Sequence, residues 1–173
     1  MEKHWQGSVD IAAPPEAVYA YLADFQRHCE WAQTFDRMEA SGPKGVGARY
    51  RTYERQAMQS DRAPKGPVAS KGFKGTTECE VTELKPNERI AWKAHPVPMG
   101  MGVHSEMHFD IAPATNGGST LTQTIDMHQP WLLFQIFTRL IFRMNPTDFE
   151  SKGEAQWQAS LRNIKHILEA PAA

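Results

Sequence analysis

Polarity alternates from the start of the chain. Trp5, Val9 and Ile11 fall on one face and His4, Gln6, Ser8 and Asp10 on the other, which is the two-residue period of a half-buried strand. The period then lengthens. Ala13-Pro14-Pro15-Glu16 opens a helix, since proline is tolerated in a first turn, and Val18, Tyr21, Leu22 and Phe25 make an i, i+3, i+4, i+7 stripe. Asp24 separates this helix from a second turn or helix ending near Trp31. Strand-like segments follow at 33–41, 48–58, 75–84, 88–95, 102–112 and 119–128. Lys85-Pro86-Asn87 and Asn116-Gly117-Gly118 supply turn chemistry between neighbours. Residues 59–74, lysine-rich and broken by glycine and proline, read as a long loop, and such a loop in a compact domain is usually a lid, a binding loop or disordered.

The C-terminal part has a different pattern. From Trp131 to Met144 only Gln135, Thr138, Arg139 and Arg143 interrupt the apolar residues, and a helix apolar on most sides must be covered on most sides. Asn145-Pro146-Thr147-Asp148 breaks and restarts it, with Asn145 as a cap, Pro146 in the first turn and Asp148 at the positive end of the helix dipole. An amphipathic helix then runs to about Glu169, with Phe149, Gly153, Trp157, Leu161, Ile164 and Leu168 on one stripe. Gly153 costs a helix about 1 kcal/mol, and its place on that stripe leaves space for a close neighbour or a ligand. Strand, two short helices, about six antiparallel strands and a long helix make an α+β fold.

Length and charge narrow the classes. A chain of 173 residues is expected to form a single domain, 1–173. Its 19 basic and 20 acidic residues nearly cancel, so no global field favours nucleic acid. Two cysteines, Cys29 and Cys79, do not make a disulfide framework and fit a reduced, cytoplasmic setting. The N-terminus lacks the regions of a signal peptide. Residues 131–144 are too few to span a bilayer and include two arginines, so the chain is expected not to be transmembrane.

The element order resembles the helix-grip fold of the START-related, birch-allergen-like superfamily (SRPBCC), and the residues resemble its polyketide cyclase/dehydrase-type branch. The likeness is carried by Val9-Asp10-Ile11-Ala12-Ala13-Pro14-Pro15-Glu16-Ala17-Val18, by Leu22-Ala23-Asp24 and Trp31, and by Gly45-Val46-Gly47 entering a strand. Asn87-Glu88-Arg89-Ile90-Ala91-Trp92, Gly118-Ser119-Thr120-Leu121-Thr122 and Leu161-Arg162-Asn163-Ile164-Lys165 extend it over nearly the whole chain. The resemblance implies a curved antiparallel sheet of about seven strands wrapped around a long C-terminal helix. The family includes carriers of lipids and other hydrophobic ligands, aromatase/cyclases and many proteins without an assigned activity. Fold alone does not choose among them.

Alternation sends Tyr50, Thr52, Glu54, Cys79, Val81, Ile90, Trp92, Ser105, Met107, Phe109, Leu121, Gln123, Ile125 and Met127 toward the long helix. Phe134, Phe137, Ile141, Phe149 and Trp157 face them. Of these, Tyr50, Thr52, Trp92, Ser105, Met107, Phe109, Gln123, Met127, Phe134, Phe137, Ile141 and Trp157 are the expected ligand-binding residues. A wide apolar wall with few polar points suits a small-molecule cavity, although an ordinary packed core needs the same residues. Glu54 is the one catalytic candidate: an inward carboxylate in an apolar pocket has a raised pKa and can act as general acid or base. A glutamate near a strand end more often reaches solvent or pairs with an arginine.

His104, Glu106, His108 and Asp110 alternate on one strand, with Asp126 and His128 on the next, and the hairpin is expected to bring His104 near Asp126. Such a group could bind a metal, but it lies opposite Met107 and Phe109 and reads as a solvated face, so no metal is expected. His95 ends a strand beside a loop that could rim a pocket, where it could touch a ligand. The cysteines lack metal spacing and no glycine loop precedes a helix, so no cofactor is expected. The expected partner is a hydrophobic small molecule (lipid, isoprenoid or polyketide-like). The alternative is a cyclase/dehydratase-like enzyme with an acid-base group, Glu54 with Tyr50 or His95, in the same cavity. A third reading uses 131–144 for a second subunit or for transient membrane contact, so both monomer and homodimer stay open.

Overall fold

The computed structural model describes residues 2–32, 35–54, 76–97, 104–115, 117–128 and 149–170. Seven strands form one sheet: β1 (Glu2–Ile11), β2 (Phe35–Ser41), β3 (Arg49–Glu54), β4 (Thr76–Lys85), β5 (Arg89–Val97), β6 (His104–Pro113) and β7 (Ser119–His128). Their order is β1-β7-β6-β5-β4-β3-β2, and every neighbouring pair is antiparallel. Helices α1 (Pro15–Ala23) and α2 (His28–Trp31), joined by a 3-10 turn at Phe25–Arg27, follow β1. The C-terminal helix α3 runs from Phe149 to Glu169. This is the expected helix-grip arrangement. The expected loop at 59–74, the apolar segment 131–144 and its break at 145–148 lie outside the described residues. Among the described residues no helix is long and apolar enough to cross a membrane.

Local chemistry accounts for the elements. Pro14 and Pro15 start α1, whose Val18, Tyr21 and Leu22 are buried, and Phe25 continues the stripe. The β4–β5 hairpin turns at Lys85-Pro86-Asn87, closed by the Glu88 N–H donating to the Lys85 carbonyl at 3.1 Å. Asn87 sits there at φ 63°, a left-handed conformation that asparagine tolerates better than most residues. An irregularity between Val81 and Glu83 gives β4 an extra residue against β5, and such a bulge bends and twists a sheet.

The two ends of the chain close the structure together. Helix α3 packs on β1 and touches α2. Lys165 Nζ donates to the Asp10 carbonyl at 2.6 Å, and Glu169 Oε1 accepts from the Ala12 N–H at 2.7 Å. Leu161 and Ile164 are buried on the expected stripe, with Trp157 and Leu168 half-buried beside them. The close approach is possible because β1 carries Gly7: a Cβ there would lie 2.9 Å from Trp5 Cη2 and 3.3 Å from Leu161 Cδ1. Gly7→Val is therefore expected to cost about 1–3 kcal/mol, the range for overpacking a filled site. Urea unfolding measures the loss. Tryptophan emission should shift as well, because Trp5 pairs with Trp157 at 5.2 Å. An unchanged midpoint would mean that α3 does not need the gap.

Candidate ligand-binding site

The inner face of the sheet is a grid of side chains set by strand register. One row across it reads Tyr50, Cys79, Ala94, Ser105 and Met127. The next reads Val81, Trp92, Met107, Ile125 and Trp5, and a third Ile90, Phe109, Gln123 and Gly7. The first row therefore has three small residues, Cys79, Ala94 and Ser105, between a tyrosine and a methionine.

One end of this face is sealed by the helices. Phe25 stacks on Tyr50 with centroids 5.1 Å apart and meets Trp92 edge-on at 5.7 Å. Trp31 meets Phe109 at 5.6 Å, and Phe109 meets Trp92 at 5.4 Å. His28 lies among Phe25, Trp31 and Trp92, and its Nε2–H donates to the Leu22 carbonyl at 2.8 Å. Burial disfavours the imidazolium and lowers the His28 pKa to about 4, so the ring is neutral at pH 7.

The other end is accessible. Along β6, Phe109 is 0% exposed, whereas Met107 and Ser105 are only half-buried although they point inward. Along β7, Leu121, Gln123 and Ile125 are buried and Met127 is half-buried. Solvent thus reaches the inner face at Ser105, Met107 and Met127.

Few polar groups lie inside. Thr52 is fully buried, and its hydroxyl donates to the Thr77 carbonyl at 3.2 Å, so it is committed to the sheet. Gln123 Oε1, Trp31 Nε1 and Asp24 Oδ1 are buried without a hydrogen-bond partner, although Lys44 Nζ lies 3.6 Å from the last. Burial, and then the Asp24 charge, raise the Tyr50 pKa above its ordinary value. Tyr21 shifts the same way, through burial and then the charge of Glu30, to which its hydroxyl donates at 3.1 Å.

The expected inner-face residues Tyr50, Thr52, Trp92, Ser105, Met107, Phe109, Gln123 and Met127 share this one face. Trp157 stands at its β1 side, its ring tilted against that of Trp5 at 5.2 Å. Phe134, Phe137 and Ile141 lie outside the described residues. Glu54 ends β3 opposite Phe35, and its side chain lies outside the description. Phe25, His28, Trp31 and Asp24 were not among the expected site residues. Phe25, His28 and Trp31 stand three apart in sequence, one face of a tight helix, which is the signal that marks them.

On the outer face, charges pair across strands. Arg89 reaches Asp110 at 2.6 Å, Lys93 reaches Glu106 at 2.7 Å and Arg51 reaches Glu78 at 2.8 Å. The Lys93 hydrogen bond holds the Glu106 carboxyl below the usual range. Asp126 lies opposite Glu106 and accepts from His4 at 2.7 Å; the residue directly opposite His104 is His128, two positions from Asp126. His95 is exposed on this outer face, its ring 5.7 Å from that of His104, away from the inner wall.

Known proteins share this architecture. Zhui aromatase/cyclase from Streptomyces sp. R1128 superposes with a TM-score of 0.69 at 16% identity, over 98% of this chain and 94% of that one. Ara h 8.0201 gives 0.63 at 10% identity over 97% and 98%. The Aha1 dimer from Colwellia psychrerythraea gives 0.58 at 21% identity over 99% of each chain. At such identities the likeness carries the fold. No curated protein matches the chain significantly. The family model described as polyketide cyclase / dehydrase and lipid transport matches residues 3–169. With that match running from the first strand to the end of the helix the sheet grips, the chain belongs to the polyketide cyclase/dehydrase and lipid transport family.

Proposed function

We propose that the chain, as one helix-grip domain, binds a hydrophobic small molecule (a lipid, an isoprenoid or a polyketide-like ring system) between the inner face of the sheet and the C-terminal helix. The observation that supports this is the gradient along β6 and β7, where inward residues pass from fully buried to half-buried toward Ser105 and Met127. The row Cys79, Ala94 and Ser105 carries little side-chain bulk between Tyr50 and Met127, and apolar walls with few polar points suit such ligands. Trp92, Met107, Phe109, Gln123 and Trp157 complete the proposed wall, while Thr52 contributes shape only. Cys29 and Cys79 are not joined in a disulfide, which supports a reducing, cytoplasmic location.

Organic extraction of the purified protein, followed by mass spectrometry, tests this reading: an apolar compound should co-purify. Ser105→Trp distinguishes a pocket from a filled core. In a pocket the indole occupies ligand space, so the ligand is lost and the unfolding midpoint stays. In a filled core the same change overpacks and costs about 1–3 kcal/mol. Destabilisation without any extracted ligand would rule the pocket out.

A second reading, an enzyme that folds a polyketide-like chain in the same cavity, is supported by the likeness to an aromatase/cyclase. Glu54 remains its proposed acid-base group, with Tyr50 on the same face of β3 four residues away. Unchanged turnover of a polyketide-like substrate by Glu54→Gln would remove that assignment.

A further inference from the structure

We propose that His104, Glu106 and His128 form a binding site for a divalent transition-metal ion, such as zinc, on the outer face of the sheet. One ligand atom from each lies within 4.8 Å of the other two. Metal–ligand bonds of about 2.0–2.1 Å place ligand atoms roughly 3.3–4.2 Å apart, so small side-chain rotations close the site. His104 and His128 face each other across β6 and β7, and their rings stack at 4.7 Å with planes 20° apart. Parallel rings on adjacent strands can present nitrogens to the same side. Glu106 Oε1 lies 3.9 Å from His104 Nε2, one step along the same strand face. Two imidazoles and a carboxylate suit zinc, nickel or copper rather than magnesium or calcium.

The surroundings permit it. Lys93 Nζ holds Glu106 Oε1, the oxygen that also lies 3.9 Å from His104 Nε2; this exposed pairing is worth at most about 1 kcal/mol, so an ion displaces the lysine there or takes the second oxygen. Asp126 is engaged by His4 and adds negative charge nearby. His95 extends the row of imidazoles on the far side of His104, its ring 5.7 Å away. Open positions would be filled by water or by that ring.

Ser105 and Met127, at the accessible end of the inner face, directly adjoin His104 and His128 along their strands. An ion on the outer face would pin β6 to β7 there and stiffen one wall of the proposed pocket mouth. That consequence rests on the ligand-binding reading; the metal site does not.

Untagged protein, freed of metal with a chelator, is titrated with zinc chloride by calorimetry, with extractable ligand measured separately. Wild type should bind a single zinc ion per chain. His104→Ala and His128→Ala should each weaken binding at least about tenfold, and Glu106→Gln should weaken it with little change of shape. His108→Ala, a change on the same strand face beyond the cluster, should bind as wild type does. Circular dichroism verifies that each variant stays folded. No saturable binding to wild type below millimolar zinc overturns the proposal. So does undiminished binding by the two histidine variants, or equal weakening by His108→Ala.

Discussion

Phe109→Ala is expected to destabilise the fold by about 3–5 kcal/mol, the range for removing a buried phenylalanine. Its ring is fully buried at the centre of the inner face and bears on both Trp31 and Trp92. Its loss removes apolar burial and leaves a hole between two large rings that cannot collapse without moving the sheet or α2. Domains are typically stable by about 5–15 kcal/mol, so this one change removes a large share. Urea denaturation reads the effect. A loss below about 1 kcal/mol would show that the aromatic cluster is loosely packed and that the sealed end of the inner face is not sealed.

The second large effect is acid sensitivity set by His28. Its pKa is lowered to about 4 from 6.5, chiefly by burial and against the Leu22 carbonyl, which favours the charged ring. An imidazole with a depressed pKa binds fewer protons folded than unfolded, so its contribution is whole above about 6.5 and is lost as pH falls through about 4. The shift corresponds to roughly 3 kcal/mol at about 1.4 kcal/mol per unit. Unfolding free energies from urea titrations at neutral pH and near pH 4 should therefore differ by about that amount in wild type. His28→Gln, which keeps a donor for the Leu22 carbonyl but cannot titrate, should show a smaller fall. Equal falls in both proteins would place the acid sensitivity elsewhere.

The sheet and its inner face were legible because a period of two assigns faces directly: Trp92, Phe109, Leu121 and Gln123 all lie where alternation sends them. The C-terminal helix was legible through the spacing of Trp157, Leu161, Ile164 and Leu168. The partner of His104 was not. The sequence put it near Asp126 while its direct partner is His128, and a shift of two residues leaves every side chain on its own face. Periodicity is blind to it; only the conformation of the turn between β6 and β7, where Gly117 takes φ 81°, decides. The aromatic lid over Tyr50 and Trp92 was missed for another reason. Phe25, His28 and Trp31 make a short face interrupted by a histidine, a residue more often exposed than sealed among rings.

Strand order also bears on how the polypeptide matures. β1 pairs with β7 and carries α3, and the Ala12–Glu169 hydrogen bond joins positions 157 residues apart. During synthesis the first strand must wait, an open edge without a mate, until nearly everything else has left the ribosome. Closure of so long a loop places this domain among slow folders and makes the nascent chain a natural client for chaperones that shield unpaired edges.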